Sequence, residues 1–313
     1  MKPTRIFITG RGQLGTFYKD YFEGQGITVA TFGSELDVRD EKAVRSKMEE
    51  FNPDLVIHTA AKTNIDWCEQ NKLEAFDINT LGADVVGKIC QESNVYLLHI
   101  SSGCVLESKS DADAQTEFVV PSPLCFYSWT KVWAEEMLSH RQRKHGLKVL
   151  LLRPRQLLSA KVDPRNALTK MLTYTKFIDT PNSCTVVEDL MEVTNELINR
   201  DEVGVFNVVN PGVTTPYELA VALKEIVKPE MEFVKISKAE LNKMTLAERV
   251  DAVLDTKKLN GLGIELKEIH VRMKEIMHDL KNNMAGAGAV KAMEKTSRET
   301  EEKLGLVKNL SQY

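Results

Sequence analysis

The stretch that most constrains the fold of this chain is residues 5–15. Arg5-Ile6-Phe7-Ile8-Thr9 is a short apolar run that ends in Gly10-Arg11-Gly12-Gln13-Leu14-Gly15, after which Leu14, Tyr18, Tyr21 and Phe22 recur at helical spacing. The order is strand, glycine turn, helix. Such glycines let the backbone turn tightly and approach a pyrophosphate, whose charge is met by the helix N-terminus. Flanked this way, Gly10, Arg11, Gly12, Gln13, Leu14 and Gly15 read as a dinucleotide-binding turn.

Residues 27–32 form the expected second strand, and the acidic residue that would take a ribose 2′-hydroxyl is missing from its end. Thr31, Phe32, Gly33 and Ser34 stand there instead. With no carboxylate to repel a 2′-phosphate and Arg11 within reach of one, NADPH is favoured and NADH is the alternative. The plain reading of Arg11 is a solvent-facing side chain. Asp37 and Val38 precede a helix at about 41–51, and Leu55-Val56-Ile57-His58 is a third strand opening on small residues. Ala60, Ala61 and Lys62 at that end allow close passage of a cofactor, while His58 reads as structural. A long helix over 69–93 contains Asn79, and a fourth strand spans 95–100. Strands and helices alternating at this pace predict an α/β fold, a Rossmann-type doubly wound parallel sheet with functional loops at the strand C-terminal ends.

The fourth strand runs into Ser101-Ser102-Gly103-Cys104, and Tyr127-Ser128-Trp129-Thr130-Lys131 follows. Tyr127 and Lys131 are four apart on one helix face, so an ammonium beside the phenol is expected to favour phenolate. Ser102 can hydrogen-bond the same substrate oxygen. Together the three polarise a carbonyl for hydride attack and protonate its oxygen.

Bulk properties limit the alternatives. At 313 residues and 42% apolar the chain can bury a large core. Net charge −4 gives no global basic field for nucleic acid. No apolar stretch approaches the ~20 residues of a membrane span, and the chain is expected to be soluble and cytoplasmic. The five cysteines lack metal-ligand or paired-redox spacing, so free thiols in a reducing compartment and no metal are expected. Cys68, Cys90, Cys125 and Cys184 read as packing residues.

These motifs resemble the extended short-chain dehydrogenase/reductase family, within it the dTDP-4-dehydrorhamnose reductases, and most closely the bifunctional 3,5-epimerase/4-reductases of UDP-rhamnose synthesis. Beyond the turn and the Ser102, Tyr127 and Lys131 set, the likeness is carried by Ile65-Asp66-Trp67-Cys68-Glu69, Ser102-Gly103-Cys104-Val105-Leu106-Glu107 and Asp163-Pro164-Arg165-Asn166-Ala167-Leu168-Thr169-Lys170. Thr180-Pro181-Asn182-Ser183-Cys184-Thr185, Phe206-Asn207-Val208-Val209-Asn210-Pro211-Gly212-Val213 and Leu254-Asp255-Thr256-Lys257-Lys258-Leu259 extend it, over roughly residues 5–280. The glycine turn is one residue shorter than the family's usual form, and Ser102 replaces a Thr.

The resemblance implies a nucleotide-sugar substrate, a UDP- or dTDP-4-keto-6-deoxyhexose. It implies epimerisation through Cys104 and Lys170, reduction through Ser102, Tyr127 and Lys131, cofactor contacts from Tyr127 and from Lys131, which holds the ribose, and Asn79 supporting Lys131. Removing a hydrogen beside the ketone gives an enolate held by Tyr127 and Ser102, and reprotonation from the other face inverts the centre. Which of Cys104 and Lys170 is acid and which is base stays open. Arg165, Asn166, Asn182 and Ser183 are expected contacts to the sugar or nucleotide, and Arg249 to its diphosphate. A 4-reductase alone and a cofactor-binding regulatory subunit are the competing readings. The expected division is 1–155 with 184–210 as the dinucleotide domain, 156–183 and 211–282 as the substrate lobe, and 283–313 as a flexible or helical extension with a joint at Met284 to Ala289. A homodimer is the expected assembly.

Overall fold

The computed structural model describes residues 2–108 and 112–287. Its first half alternates as expected: β1 (Arg5–Thr9), α1 (Gln13–Glu23), β2 (Thr28–Phe32), α2 (Glu41–Phe51), β3 (Leu55–His58). Helices α3 (Ile65–Gln70), α4 (Lys72–Phe76) and α5 (Gly82–Glu92) follow, the last two joined by a π-helical turn, Asp77–Leu81. Then come β4 (Tyr96–Ile100), a 3-10 turn (Gly103–Val105), α6 (Phe126–His145) and β5 (Val149–Pro154). The single helix expected over 69–93 is thus interrupted. Asn71, at φ −123° and ψ 52°, breaks it, and the π turn that carries Asn79 widens it.

The second half contains β6 (Leu157–Leu158), α7 (Ala167–Met171), β7 (Lys176–Ile178), β8 (Asn182–Val186), α8 (Val187–Asn199), β9 (Gly204–Val208) and β10 (Asn210–Thr214). It ends with α9 (Pro216–Ile226), β11 (Val234–Ile236), α10 (Lys238–Met244), α11 (Lys257–Asn260) and α12 (Ile269–Ala287).

Six parallel strands form the central sheet in the order β2-β1-β3-β4-β5-β9. Its strands are apolar at nearly every position because both faces are covered. Ile6, Ile8, Leu98, Ile100, Leu150 and Leu152 pack on one side with Tyr18 and Phe22 of α1 and Leu190 and Leu197 of α8. Phe7, Val56, Leu97, Val149 and Leu151 pack on the other, with Val86 of α5 and Leu138 of α6. Each large side chain buried this way contributes about 1.5–3 kcal/mol. The Tyr18 hydroxyl shares a 2.9 Å hydrogen bond with Thr194 Oγ1, tying α1 to α8 beneath the glycine turn.

The lobe is built on a three-stranded sheet, β10-β8-β6, and a two-stranded parallel pair, β11 and β7. A second core of Leu168, Phe177, Leu219, Leu223, Ile276 and Leu280 joins α7, α9 and α12 to it. Two segments cross the expected division. Residues 184–186 lie in β8, within the lobe's sheet, and the chain rejoins the central sheet only with α8. Leu259 and Ile264 pack back on the central sheet's core. The joint expected at Met284 is helical through Ala287, and residues beyond it lie outside the described ones.

Candidate active site

Because β1 lies between β2 and β3, the chain leaves β1 in one direction and β3 in the other, opening a crevice at their C-terminal ends. Gly10 turns there at φ +92°, and a Cβ on it would sit 2.6 Å from the Ala60 nitrogen. A Cβ on Gly15 would fall 1.8 Å from the Gly10 oxygen, so α1 starts in contact with the turn. A Cβ on Gly12 would meet nothing within 4 Å. Gly12 makes no side-chain cap and the first turn of α1 holds no acid, which leaves its N–H groups to an anion. Gln13 Nε2 is buried there without a hydrogen-bond partner. A pyrophosphate fits these features, with Gly10 to Gly15 cradling it.

The crevice is a pocket of about 550 Å³ that includes Arg11, Asp37, Val38 and Ala60 to Lys62. One acidic residue overlooked at the strand end is present in it. Glu35, three residues past β2, folds back onto the Arg11 guanidinium, which also donates to the Thr31 carbonyl at 3.0 Å. Arg11 is therefore an ion-paired residue. Asn79, almost fully buried, accepts from Lys62 N at 2.7 Å and donates to Lys62 O at 2.9 Å and Thr130 Oγ1 at 3.1 Å. Asn79 thus meets the neighbouring Thr130, while the Lys131 ammonium bonds the Ile100 carbonyl.

Beyond β4, Ser102 begins the 3-10 turn, its Oγ accepting from Cys104 N at 3.3 Å. Gly103 is needed here, since a Cβ would lie 2.6 Å from Leu254 and 3.2 Å from Arg155. Tyr127 and Lys131 project from the first turns of α6, whose Phe126 N donates to Glu69 Oε1 at 2.6 Å. The Ser102 side chain lies close enough to the Tyr127 phenol and the Cys104 thiol to lower the pKa of each, so the structure brings these three expected residues together. Ser128 Oγ lies 3.2 Å from Cys125 Sγ and also lowers the pKa of the Cys104 thiol. Cys68 and Cys125 share this buried cluster.

Burial pushes the Tyr127 phenol up, contrary to the lowering expected from Lys131. Lys131 Nζ donates to the Ile100 carbonyl at 3.0 Å, and burial brings its pKa down to about 8. Burial also raises the Cys104 thiol. His58 is structural: its Nδ1 shares a 2.6 Å hydrogen bond with Thr9 Oγ1, it stacks on His99, and burial lowers its pKa to about 3.

A second pocket of about 180 Å³ opens beside Cys104. Asn182 and Arg249 line it as expected of substrate contacts, together with Arg155, Gln156 and Asp251, which sequence motifs did not single out. Gln156 adopts φ 37°, a strained conformation for a residue with a side chain. Arg155 Nη2 donates to Asn182 Oδ1 at 2.9 Å and Arg249 Nη2 to Asp66 Oδ2 at 2.6 Å. Arg155 Nε and Arg249 Nη1 are buried with no hydrogen-bond partner, an arrangement suited to an anion.

The remaining expected contacts lie elsewhere. Asn166 is fully buried as the cap of α7, donating to Ser159 O at 2.7 Å and Lys161 O at 2.8 Å. Ser183 Oγ accepts from Leu254 N at 2.9 Å, a structural tie. Arg165 pairs with Asp163 and reaches the Arg11 carbonyl at 3.3 Å, placing it beside the glycine turn. Lys170 is exposed on α7, and partial desolvation lowers its pKa. It is not among the residues lining the Cys104 pocket.

Comparison with known proteins places this architecture. The RmlD substrate binding domain model matches residues 4–282, and the chain belongs to that family. It is 30% identical over 268 residues to a bifunctional dTDP-4-dehydrorhamnose 3,5-epimerase/dTDP-4-dehydrorhamnose reductase from Arabidopsis thaliana, covering 82% of this chain and 87% of that protein. A trifunctional UDP-glucose 4,6-dehydratase/UDP-4-keto-6-deoxy-D-glucose 3,5-epimerase/UDP-4-keto-L-rhamnose-reductase from the same plant is 28% identical, and this chain covers 41% of its length. The L780 UDP-rhamnose synthase from Acanthamoeba polyphaga mimivirus superposes with a TM-score of 0.80 at 27% identity, covering 88% of this chain and 99% of that one. The dTDP-4-dehydrorhamnose reductase of Bacillus anthracis in complex with NADP has the same fold, with a TM-score of 0.77 at 23% identity over 92% of this chain and all of that one.

Proposed function

We propose that this member of the RmlD substrate binding domain family is a bifunctional enzyme. It epimerises C3 and C5 of a nucleotide-linked 4-keto-6-deoxyhexose and reduces C4, giving the nucleotide-L-rhamnose. The observation that carries this is the buried juxtaposition of Tyr127, Ser102 and Cys104, which sets a thiol beside the hydroxyl pair of a reductase. Curated relatives named for both activities support it.

NADPH, when bound at the glycine turn, supplies the hydride. Tyr127 and Ser102 hold the C4 oxygen, first as the ketone, then as the enolate of epimerisation, and finally as the alkoxide left by reduction. The raised phenol is protonated at neutral pH, so Tyr127 can give that alkoxide its proton. Cys104, whose thiol burial keeps protonated, and Lys170 form the proposed acid–base pair of epimerisation. Lys131 orders the start of α6 through the Ile100 carbonyl and lies one helical turn from the phenol. Arg155 and Arg249 offer unpartnered N–H groups to the substrate's diphosphate. The reading includes a cytoplasmic enzyme, in keeping with five buried thiols, and a homodimer, which size-exclusion chromatography checks.

The separation of Lys170 from the pocket beside Cys104 favours a second reading, 4-reduction alone of a sugar epimerised elsewhere. Product analysis by NMR, with UDP-, dTDP- and GDP-4-keto-6-deoxyglucose and NADPH, tests both. Nucleotide-L-rhamnose from at least one carrier is expected. Cofactor oxidation only with the pre-epimerised L-sugar would leave the reductase alone. No oxidation with any carrier would leave a regulatory subunit.

A further inference from the structure

The mouth of the dinucleotide cleft holds two arginines, each tied to its own acid. Arg11, from the glycine turn, meets Glu35. Arg39 donates to Asp37 through Nε to Oδ1 at 2.9 Å and Nη2 to Oδ2 at 2.6 Å. All four residues line the same pocket. The first pair depends on Gly33, because a Cβ there would sit 2.9 Å from Glu35 Oε2 and 3.4 Å from Arg11 Cβ. The backbone N–H groups of Gly33 and of Glu35 itself also hold the carboxylate.

A carboxylate past the second strand suits a ribose 2′-hydroxyl, while a cation there suits a 2′-phosphate. In most such sites one of these is present. Here both are, and each occupies the other. Arg11 can turn to a phosphate only by releasing Glu35, which then stands as a like charge beside it. The ion pair is exposed, with half of each side chain in solvent, and exposed pairs of this kind separate readily. A phosphate monoester carries more charge than a carboxylate and can take guanidinium forks from both Arg11 and Arg39.

We infer that Glu35 is the residue that sets cofactor choice, by competing with the 2′-phosphate of NADPH for Arg11 while accepting the 2′-hydroxyl of NADH. The wild-type cleft therefore takes both cofactors, with its preference for NADPH held down by its own carboxylate. Arg39 is the second half of the phosphate clamp. This rests on the reading of the cleft as a nicotinamide dinucleotide site.

The test is a fluorescence titration of the full chain with NADPH and with NADH, for the wild type, Glu35→Gln and Arg39→Gln, without sugar substrate. Glu35→Gln is expected to tighten NADPH and weaken NADH, moving the ratio of the two dissociation constants by about tenfold or more. The NADPH constant of that variant should also weaken more steeply with added salt. Arg39→Gln is expected to weaken NADPH selectively. A Glu35→Gln variant in which both constants move together, or neither moves, would overturn the assignment, as would equal losses of both cofactors in Arg39→Gln. Failure of the wild type to bind either cofactor would instead refute the reading of the cleft.

Discussion

The cofactor cleft draws most of its wall from two short stretches, residues 10–15 and 33–39, with Ala60 to Lys62 closing it. The pocket beside Cys104 is assembled from Ile65, Cys104, Arg155, Asn182 and Arg249, which are scattered along the chain and come from both sheets. The cleft is a local consequence of one strand, one turn and one helix. The pocket exists only once the lobe has packed against the end of β4. Changes to the cleft should therefore act on cofactor affinity, and changes around the pocket on substrate binding and chemistry.

The largest effect expected is on the pocket side. Tyr127→Phe removes the proton donor and should lower the rate of 4-reduction by roughly 10²–10⁴-fold while leaving NADPH affinity unchanged, as read by steady-state kinetics and cofactor titration. Loss of cofactor binding in that variant would break the separation. Next, Cys104→Ala should reduce epimerisation by roughly 10²-fold or more and spare reduction of the pre-epimerised L-sugar. On the cleft side, Gly12→Ala should weaken NADPH by about tenfold without altering the thermal midpoint, because the added methyl meets no protein atom but stands where the pyrophosphate approaches. Gly15→Ala should lower the midpoint as well, since its Cβ would lie 1.8 Å from the Gly10 oxygen.

One further expected effect is on stability. Burial lowers Lys131 from 10.5 to about 8, so between those values the unfolded chain holds a proton that the folded one does not. Stability then rises with pH across that window, and the full cost of burying the ammonium, roughly 3 kcal/mol, is felt below pH about 8. Lys131→Met should be a few degrees more stable than wild type at pH 7, with the gap closing toward pH 10 in thermal melts. A gap independent of pH would show that the ammonium is not disfavoured in the fold.

Sequence patterning made the cleft readable because its signals are short-range. The short continuous apolar strands, the glycine turn and the Tyr127 to Lys131 spacing each declare themselves within a few residues. Ser102 and Tyr127 are marked by their positions at a strand end and a helix start, Cys104 by the family resemblance, and the structure brings the three side chains together. Glu35 escaped notice because it lies past the strand end and reaches Arg11 only through the bend at Gly33. Arg155 escaped because nothing local marks an arginine after β5 as facing a pocket. Asn166 and Ser183 stand in motif stretches yet serve caps and backbone ties, a role that residue type alone does not separate from ligand binding. The direction of the Tyr127 shift was misjudged because helical spacing gives proximity to Lys131 but says nothing of burial, which dominates.

The measurement that bears most directly on the proposed dual activity is isotope exchange without reduction. The protein would be incubated in heavy water with UDP-4-keto-6-deoxyglucose or its dTDP counterpart and no reduced cofactor, with deuterium at C3 and C5 read by NMR. Exchange at both carbons in the wild type, abolished in Cys104→Ala and in Lys170→Ala, is the predicted result. No exchange in the wild type, or undiminished exchange in both variants, would contradict it.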